Sequence, residues 1–301
     1  MLIDENLYRA ILEKKAALDR FRPFDRHSLE SLKEAFKVEM TYNSNAIEGN
    51  TLSLSETRMV LEDGITIGGK SMREHLEVIN HAKAMDFIES LVRKPKIEEN
   101  DVLSIHAFIL DRIDPENAGF YRGCSVLISG TRYVPPSPSK VPEMMKEVYH
   151  LLNSKGEPIE MASRIHQRFV SIHPFIDGNG RAARLLINLY LMRNNFLPII
   201  FLKAERKKYI DDIVKEQING DPKPFADFTA KAMIRSLDTY LNTLGRRKNY
   251  ISLKEASKHS KHSQEYLSLL ARQGKLDAMK DGRNWKTTKE AVEKYERSNL
   301  K

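Results

Sequence analysis

Residues 173–184, HPFIDGNGRAAR, constrain this chain more than any other stretch. Met161, Ile165, Phe169 and Ile172 lie on one face of a helix predicted over 159–172. Pro174 must end that helix, which leaves His173 at its C-terminal edge. A second helix is predicted from about Gly180 to Asn195. The glycines of Gly178-Asn179-Gly180 can turn several N–H groups toward one point just before it starts. A helix N-terminus with such a nest attracts an anion. Arg181 and Arg184, three residues apart, are expected to lean over the same anion. Asp177 stands just before the nest, a sensible place for a divalent cation that shares phosphate oxygens. His173 can accept a proton at the mouth. Each part alone is commonplace, a turn, a cap or a helix end. Together they describe a phosphate site with a general base. No GxxxxGK[ST] motif is present, so the site is not a P-loop.

The rest of the first 245 residues reads as helix. Apolar periodicity predicts helices over 6–18, 28–42, 53–63, 71–92, 99–110 and 141–153, and again over 203–218 and 222–243. The exception is 121–136, where Val126, Leu127 and Ile128 run into Ser129-Gly130 and then Arg132, Tyr133 and Val134. This pattern predicts a short β-hairpin. Hydrophobic residues make up 41% and charged residues 30%, a globular rather than a disordered composition. The single Cys124 excludes an internal disulfide framework and a Cys-rich zinc site. No apolar run approaches the roughly 20 residues of a membrane span, and no signal-peptide pattern opens the chain. A cytoplasmic location without membrane association is expected.

The string HPFIDGNGRAAR resembles the motif of the Fic family, HPFx[DE]GNGRxxR, at every specified position. The resemblance covers roughly residues 1–240 and implies a mainly α-helical Fic fold. Fic enzymes typically move AMP from ATP to a hydroxyl of a target protein, so ATP, Mg²⁺ and a target Tyr, Ser or Thr hydroxyl are the implied partners. Position by position, the resemblance implies that His173 deprotonates the target hydroxyl and Asp177 holds Mg²⁺. Gly178, Asn179 and Gly180 would cradle the phosphates, and Arg181 and Arg184 would contact the phosphate tail. The hairpin would be the family's flap, with Val126, Leu127, Ile128 and Tyr133 positioning the target segment. Tyr209 and Gln217 resemble residues that line the adenosine pocket. Ser44, Glu48 and Gly49 read alone as a helix end with a glycine cap. They also resemble the family's inhibitory motif, [ST]xxxE[GN], in its N-terminal, same-chain placement. This implies that Glu48 pairs with Arg184 and restrains activity. Two alternatives remain: a Fic-fold transferase of another nucleotide or phosphate group, and a DNA-binding regulator whose Fic body only senses nucleotide.

Charge divides the chain. Residues 246–301 hold fifteen Lys/Arg against seven Asp/Glu, whereas the first 245 residues balance thirty-four against thirty-four. Three parts are expected: an N-terminal helical region (1–95) carrying the inhibitory helix, a catalytic core (96–245) and a basic domain (246–301), joined at Gly245–Asn249. Within 250–297 the order helix, turn, helix, hairpin, helix resembles a winged helix-turn-helix of the excisionase-like kind, carried by SQEYLSLLARQGKLDAMKDGRNW. DNA is the implied partner of this segment, with a protein-binding winged helix and a lysine-solvated appendage as alternatives. The sequence leaves a homo-oligomer open.

Overall fold

The computed structural model describes residues 2–21, 26–128, 131–248, 250–273, 275–281 and 284–298. Packing divides the chain into two compact units, Met1–Asp238 and Thr239–Lys301. Among the described residues no helix is long and apolar enough to cross a membrane.

The first unit is built of helices: α1 (Glu5–Asp19), α2 (Arg26–Ile47), α3 (Leu54–Arg58, continued by a π-type turn over Met59–Asp63), α4 (Met72–Leu91), α5 (Glu99–Leu110), α6 (Val141–Asn153), α7 (Pro158–Ile172), α8 (Asn179–Arg193), α9 (Arg206–Asn219) and the first part of α10 (Lys223–Lys248), whose last residues from Thr239 belong to the second unit. Their boundaries follow local chemistry. Ser53 and Ser71 each form a capping box, with Glu56 and Glu74 reaching back to the cap N–H. Gly64, at φ 66°, closes the π-type turn, and Pro158 opens α7.

The core is organised around α8. Ala182, Ala183, Leu185, Leu186, Ile187, Leu189 and Leu191 are all fully buried, on every side of this helix. A helix apolar all round must be surrounded, and α2, α4, α5 and α7 pack against it. α8 is therefore the rigid post on which the site is mounted, and its N-terminus opens onto the cleft described below.

Two expectations are corrected. Residues 125–128 and 131–136 form no strands, and no backbone ladder joins them among the described residues. The expected Ser129-Gly130 turn lies outside the described residues. Alternating apolar residues suggest a strand, but an isolated two-stranded ribbon is marginal without a third strand or a face to bury. Here Leu127 is 85% exposed and Val134 67%. Secondly, α10 runs through the expected joint as far as Lys248, and Asn249 lies outside the described residues. A helix of this length tolerates one glycine at a cost of about 1 kcal/mol.

The second unit holds β1 (Ile251–Ser252), α11 (Leu253–Ser257), α12 (Gln264–Arg272), β2 (Ala278–Asp281), β3 (Asn284–Thr287) and α13 (Lys289–Ser298). Ser252 and Ser263 cap α11 and α12 through side-chain oxygens. The strands form an antiparallel sheet in the order β1-β3-β2, with Thr287 opposite both Ile251 and Ala278. Leu253, Ala256, Leu267, Leu270, Leu276 and Val292 make a separate small core, against which Trp285 and Tyr295 pack. The two-residue β1 carries too little pattern to be read from sequence. Gly274 and Gly282, within the segment expected to hold the hairpin, lie outside the described residues.

Candidate active site

His173 caps α7 in the left-handed conformation, φ 50° and ψ 59°. A residue with a Cβ pays of order 1–3 kcal/mol for this, so its surroundings must hold it. Phe175, fully buried, stacks on the His106 ring at 3.6 Å with the planes 2° apart. The Asn179 amide clamps the loop: its Oδ1 accepts from the Phe175 N–H (3.0 Å) and its Nδ2 donates to the Phe175 carbonyl (2.9 Å). The His106 ring accepts the Gly119 N–H at Nδ1 (3.0 Å), which leaves Nε2 to donate to the Asp177 carbonyl (2.9 Å). Burial drops the His106 pKa to about 4, so the neutral tautomer this geometry needs persists at neutral pH. Gly178 lies at φ 77°, and a Cβ there would stand 3.2 Å from His106 Nε2. The glycine is needed for both conformation and space.

These contacts present His173 to an open cleft of about 130 Å³. Burial chiefly, and then the Arg122 charge, lower the His173 pKa, while the Val170 carbonyl, Glu48 and Asp177 oppose the shift. A neutral imidazole at pH 7 follows. Glu48, Asn179, Gly180, Tyr209, Gln217 and Ile128 share this cleft with His173. Residues up to 169 positions apart in sequence thus meet at one site. Thr131, Val170, Ile210, Ile213 and Val214 complete the wall and were not foreseen. Tyr209 is only 2% exposed; its hydroxyl lies 2.8 Å from His166 Nε2 and accepts from Arg184 (3.2 Å). Gln217 donates to the Ser171 hydroxyl at 3.3 Å. Val126 and Leu127 do not line the cleft, and the Tyr133 hydroxyl donates to the Ser171 carbonyl at the end of α7 (3.1 Å).

The two arginines take different partners rather than leaning over one point. Arg184 is 3% exposed and spends its guanidinium on Ser44 Oγ (3.0 Å), the Ser44 carbonyl (2.8 Å), Glu48 Oε1 (2.7 Å) and Tyr209. Arg181 turns to Asp177 Oδ1 (3.2 Å) and, at 3.7 Å, to Glu77 of α4. The acids on the flanking helices decide the split: Glu77 draws one guanidinium and Glu48, at the end of α2, draws the other. Gly180 lets Glu48 in, because a Cβ there would stand 2.2 Å from Glu48 Oε1. Gly49 reaches φ 106° as the chain leaves α2, and Arg206 Nε holds the Ile47 carbonyl at 2.6 Å.

Asp177 is paired with Arg73 (2.8 Å) as well as Arg181, and it accepts the Gly178 N–H (2.5 Å). Burial raises its pKa, but Arg181, this N–H and Arg73 outweigh burial, so the net shift is downward and the group is a carboxylate. Among the described residues no cluster of three or more His, Cys, Asp or Glu could hold a metal alone. A part-exposed carboxylate beside an anion nest still suits Mg²⁺, which takes one or two carboxylates and completes its shell with phosphate oxygens and water.

A model described as the Fic/DOC family matches residues 96–191. Fic-1 of C. elegans (residues 134–508) is 36% identical, with a TM-score of 0.71 over 80% of this chain and 72% of that one. The chain belongs to the Fic/DOC family. A Fic domain-containing signaling protein from Bacteroides thetaiotaomicron superposes with a TM-score of 0.72 at 26% identity, over 78% of this chain and 97% of its own. Protein adenylyltransferase Fic of Drosophila virilis is 38% identical over 244 residues, which is 79% of this chain and 50% of that protein. The chain spans about half the length of the curated relatives it matches.

In this Fic/DOC chain, several residues that shape the loop carry no motif signal. His106 and Arg122 act on backbone carbonyls far away in sequence. Arg73 and Arg206 read as ordinary helix-surface cations until α4 and α9 are in place. Only Arg122, beside the predicted hairpin, sits where a local reading would look.

Proposed function

We propose that the chain is an autoinhibited protein AMP-transferase that uses ATP and a hydroxyl of a target protein. The observation that carries this reading is a neutral, half-buried His173 on the wall of the cleft that also holds the N-terminus of α8. His173 accepts the proton of the target hydroxyl, whose oxygen attacks the α-phosphorus. The bond to the β-phosphate oxygen breaks and pyrophosphate leaves. The α8 N-terminus, with Gly178, Asn179 and Gly180, binds the phosphates through backbone N–H groups. The Asn179 side chain is committed to the loop and serves by holding its shape. Arg181 and Arg184 neutralise phosphate charge, and Tyr209 and Gln217 border the nucleoside. Asp177, released from Arg73, would hold Mg²⁺, which supplies positive charge at the phosphates when bound. Most of the rate would come from positioning and charge neutralisation.

Inhibition is read from the Glu48–Arg184 pair. An Arg184 whose donors are spent on α2 and Tyr209 cannot also bind a γ-phosphate, and the Glu48 carboxylate repels one. Glu48→Gly should raise self-labelling from labelled ATP and Mg²⁺ at least about tenfold, the scale of one lost charge-assisted hydrogen bond. Unchanged labelling would sink the inhibitory reading. His173→Ala in the same background should abolish labelling. Labelled UTP, GTP and CTP offered in parallel test the alternative of another nucleotide.

For 246–301 we propose a winged helix-turn-helix that binds DNA. Its basic excess and the helix, helix, hairpin, helix order around a separate small core support this. Binding of the full chain to duplex DNA should fall steeply between about 50 and 200 mM salt if phosphates are contacted. Flat salt dependence would favour a protein partner.

A further inference from the structure

Arg122 is 3% exposed, and among the described residues no carboxylate pairs with it. Burying a cation without an acid partner is costly unless its donors are all used. They are used on carbonyls. Nε donates to the His173 carbonyl (2.8 Å), one terminal nitrogen to the Cys124 carbonyl (2.8 Å), and the other to Pro136 and, at 3.5 Å, Ile172. Its backbone N–H adds the Pro174 carbonyl at 2.9 Å. Two structures converge on one guanidinium: the strained left-handed turn at His173, and both ends of the 124–136 segment whose Ile128 and Thr131 line the cleft.

We infer that Arg122 is a positioning residue, which sets the proton-accepting imidazole and the target-facing segment in register with each other. A planar five-donor fork can hold carbonyls on both sides at fixed angles; a lysine ammonium carries the charge without the fork. The arrangement explains why the segment needs no β ladder of its own. Its two ends are tied through a side chain, and Leu127 and Val134 between them are exposed. The Arg122 charge also acts in the sense that keeps His173 neutral.

This inference rests on the proposed transfer reaction, and its test separates the two. In the Glu48→Gly background, Arg122→Lys should cut kcat about 10–100-fold, since a displacement near 1 Å is worth about that much. The Kd for ATP, measured by calorimetry, should stay within about twofold. Hydrogen exchange should quicken both at 172–173 and at residue 122, whose N–H holds the Pro174 carbonyl. An unchanged kcat, or an ATP Kd that weakens as much as kcat falls, overturns the inference. Arg122→Gln, which keeps two N–H donors and loses the charge, is measured in parallel and decides the matter in the same way if the lysine variant does not fold. Should Glu48→Gly transfer nothing at all, the proposed reaction fails. The exchange data then decide alone: faster exchange at both places supports Arg122, and unchanged exchange at either overturns it.

Discussion

Two irregular segments border the same cleft and are held in opposite ways. Residues 173–180 are pinned at almost every step, by Arg122, by the Asn179 amide, by His106 and by a fully buried Phe175. Residues 124–136 are tied at their ends and through Tyr133, while Leu127 and Val134 stand in solvent. The first segment has the character of a preorganised site, whose groups need not rearrange when charge moves. The second, with exposed apolar side chains, would under the proposed reaction serve as a docking edge for the target. The difference teaches where stability and recognition are separable: substitutions in the loop should cost folding energy, and substitutions in the outer segment should cost only encounters with the target.

That contrast can be broken at several points. Phe175→Ala should have the largest effect, about 3–5 kcal/mol of stability, as for buried aromatic truncations generally. A loss below about 1 kcal/mol in a denaturant melt would mean the loop is not held by its stack. Next comes acid. His106 titrates near 6.5 when unfolded and at about 4 when folded, so the unfolded chain binds more protons in between. Stability should therefore fall as pH drops from about 6.5 toward 4, by up to ~3 kcal/mol from this group. His81, taken down to about 3 by burial and by Arg184 and Arg181, acts in the same direction. His106→Gln should flatten part of that slope in denaturant melts run at each pH. Gly178→Ala should cost about 1–3 kcal/mol through its φ of 77° and the contact with His106. Leu127→Ala should be the mildest, within about 0.5 kcal/mol. Its effect should appear instead as a raised KM for the target protein in Glu48→Gly. A destabilised Leu127→Ala would show that the outer segment is structural after all.

The parts of the site legible in sequence are those whose partners are close along the chain. Pro174, Gly178 and the start of α8 follow from local rules, and so does the end of α7 at His173, though not its left-handed turn. The Glu48–Arg184 contact spans 136 residues, and only the family resemblance pointed to it. His106 and Arg122 stayed invisible because their partners are backbone carbonyls, which every residue offers, so no side-chain pattern marks them. The hairpin failed for a different reason. Alternation reports which faces a strand would have, but not whether anything covers them. The split between Arg181 and Arg184 likewise depends on acids supplied by α2 and α4, which helical spacing within α8 does not reveal.

Gly180 serves two occupants at once. The space above it admits the Glu48 carboxylate in the resting chain, and the proposed reaction asks the same space to admit a phosphate. On the proposed reading, a side chain added there to displace Glu48 would also crowd the phosphate. If that reading holds, mutational routes to an unrestrained enzyme are one-sided. They run through Ser44, Glu48 or the Arg206 latch on the end of α2, and never through the glycine that the inhibitor leans on.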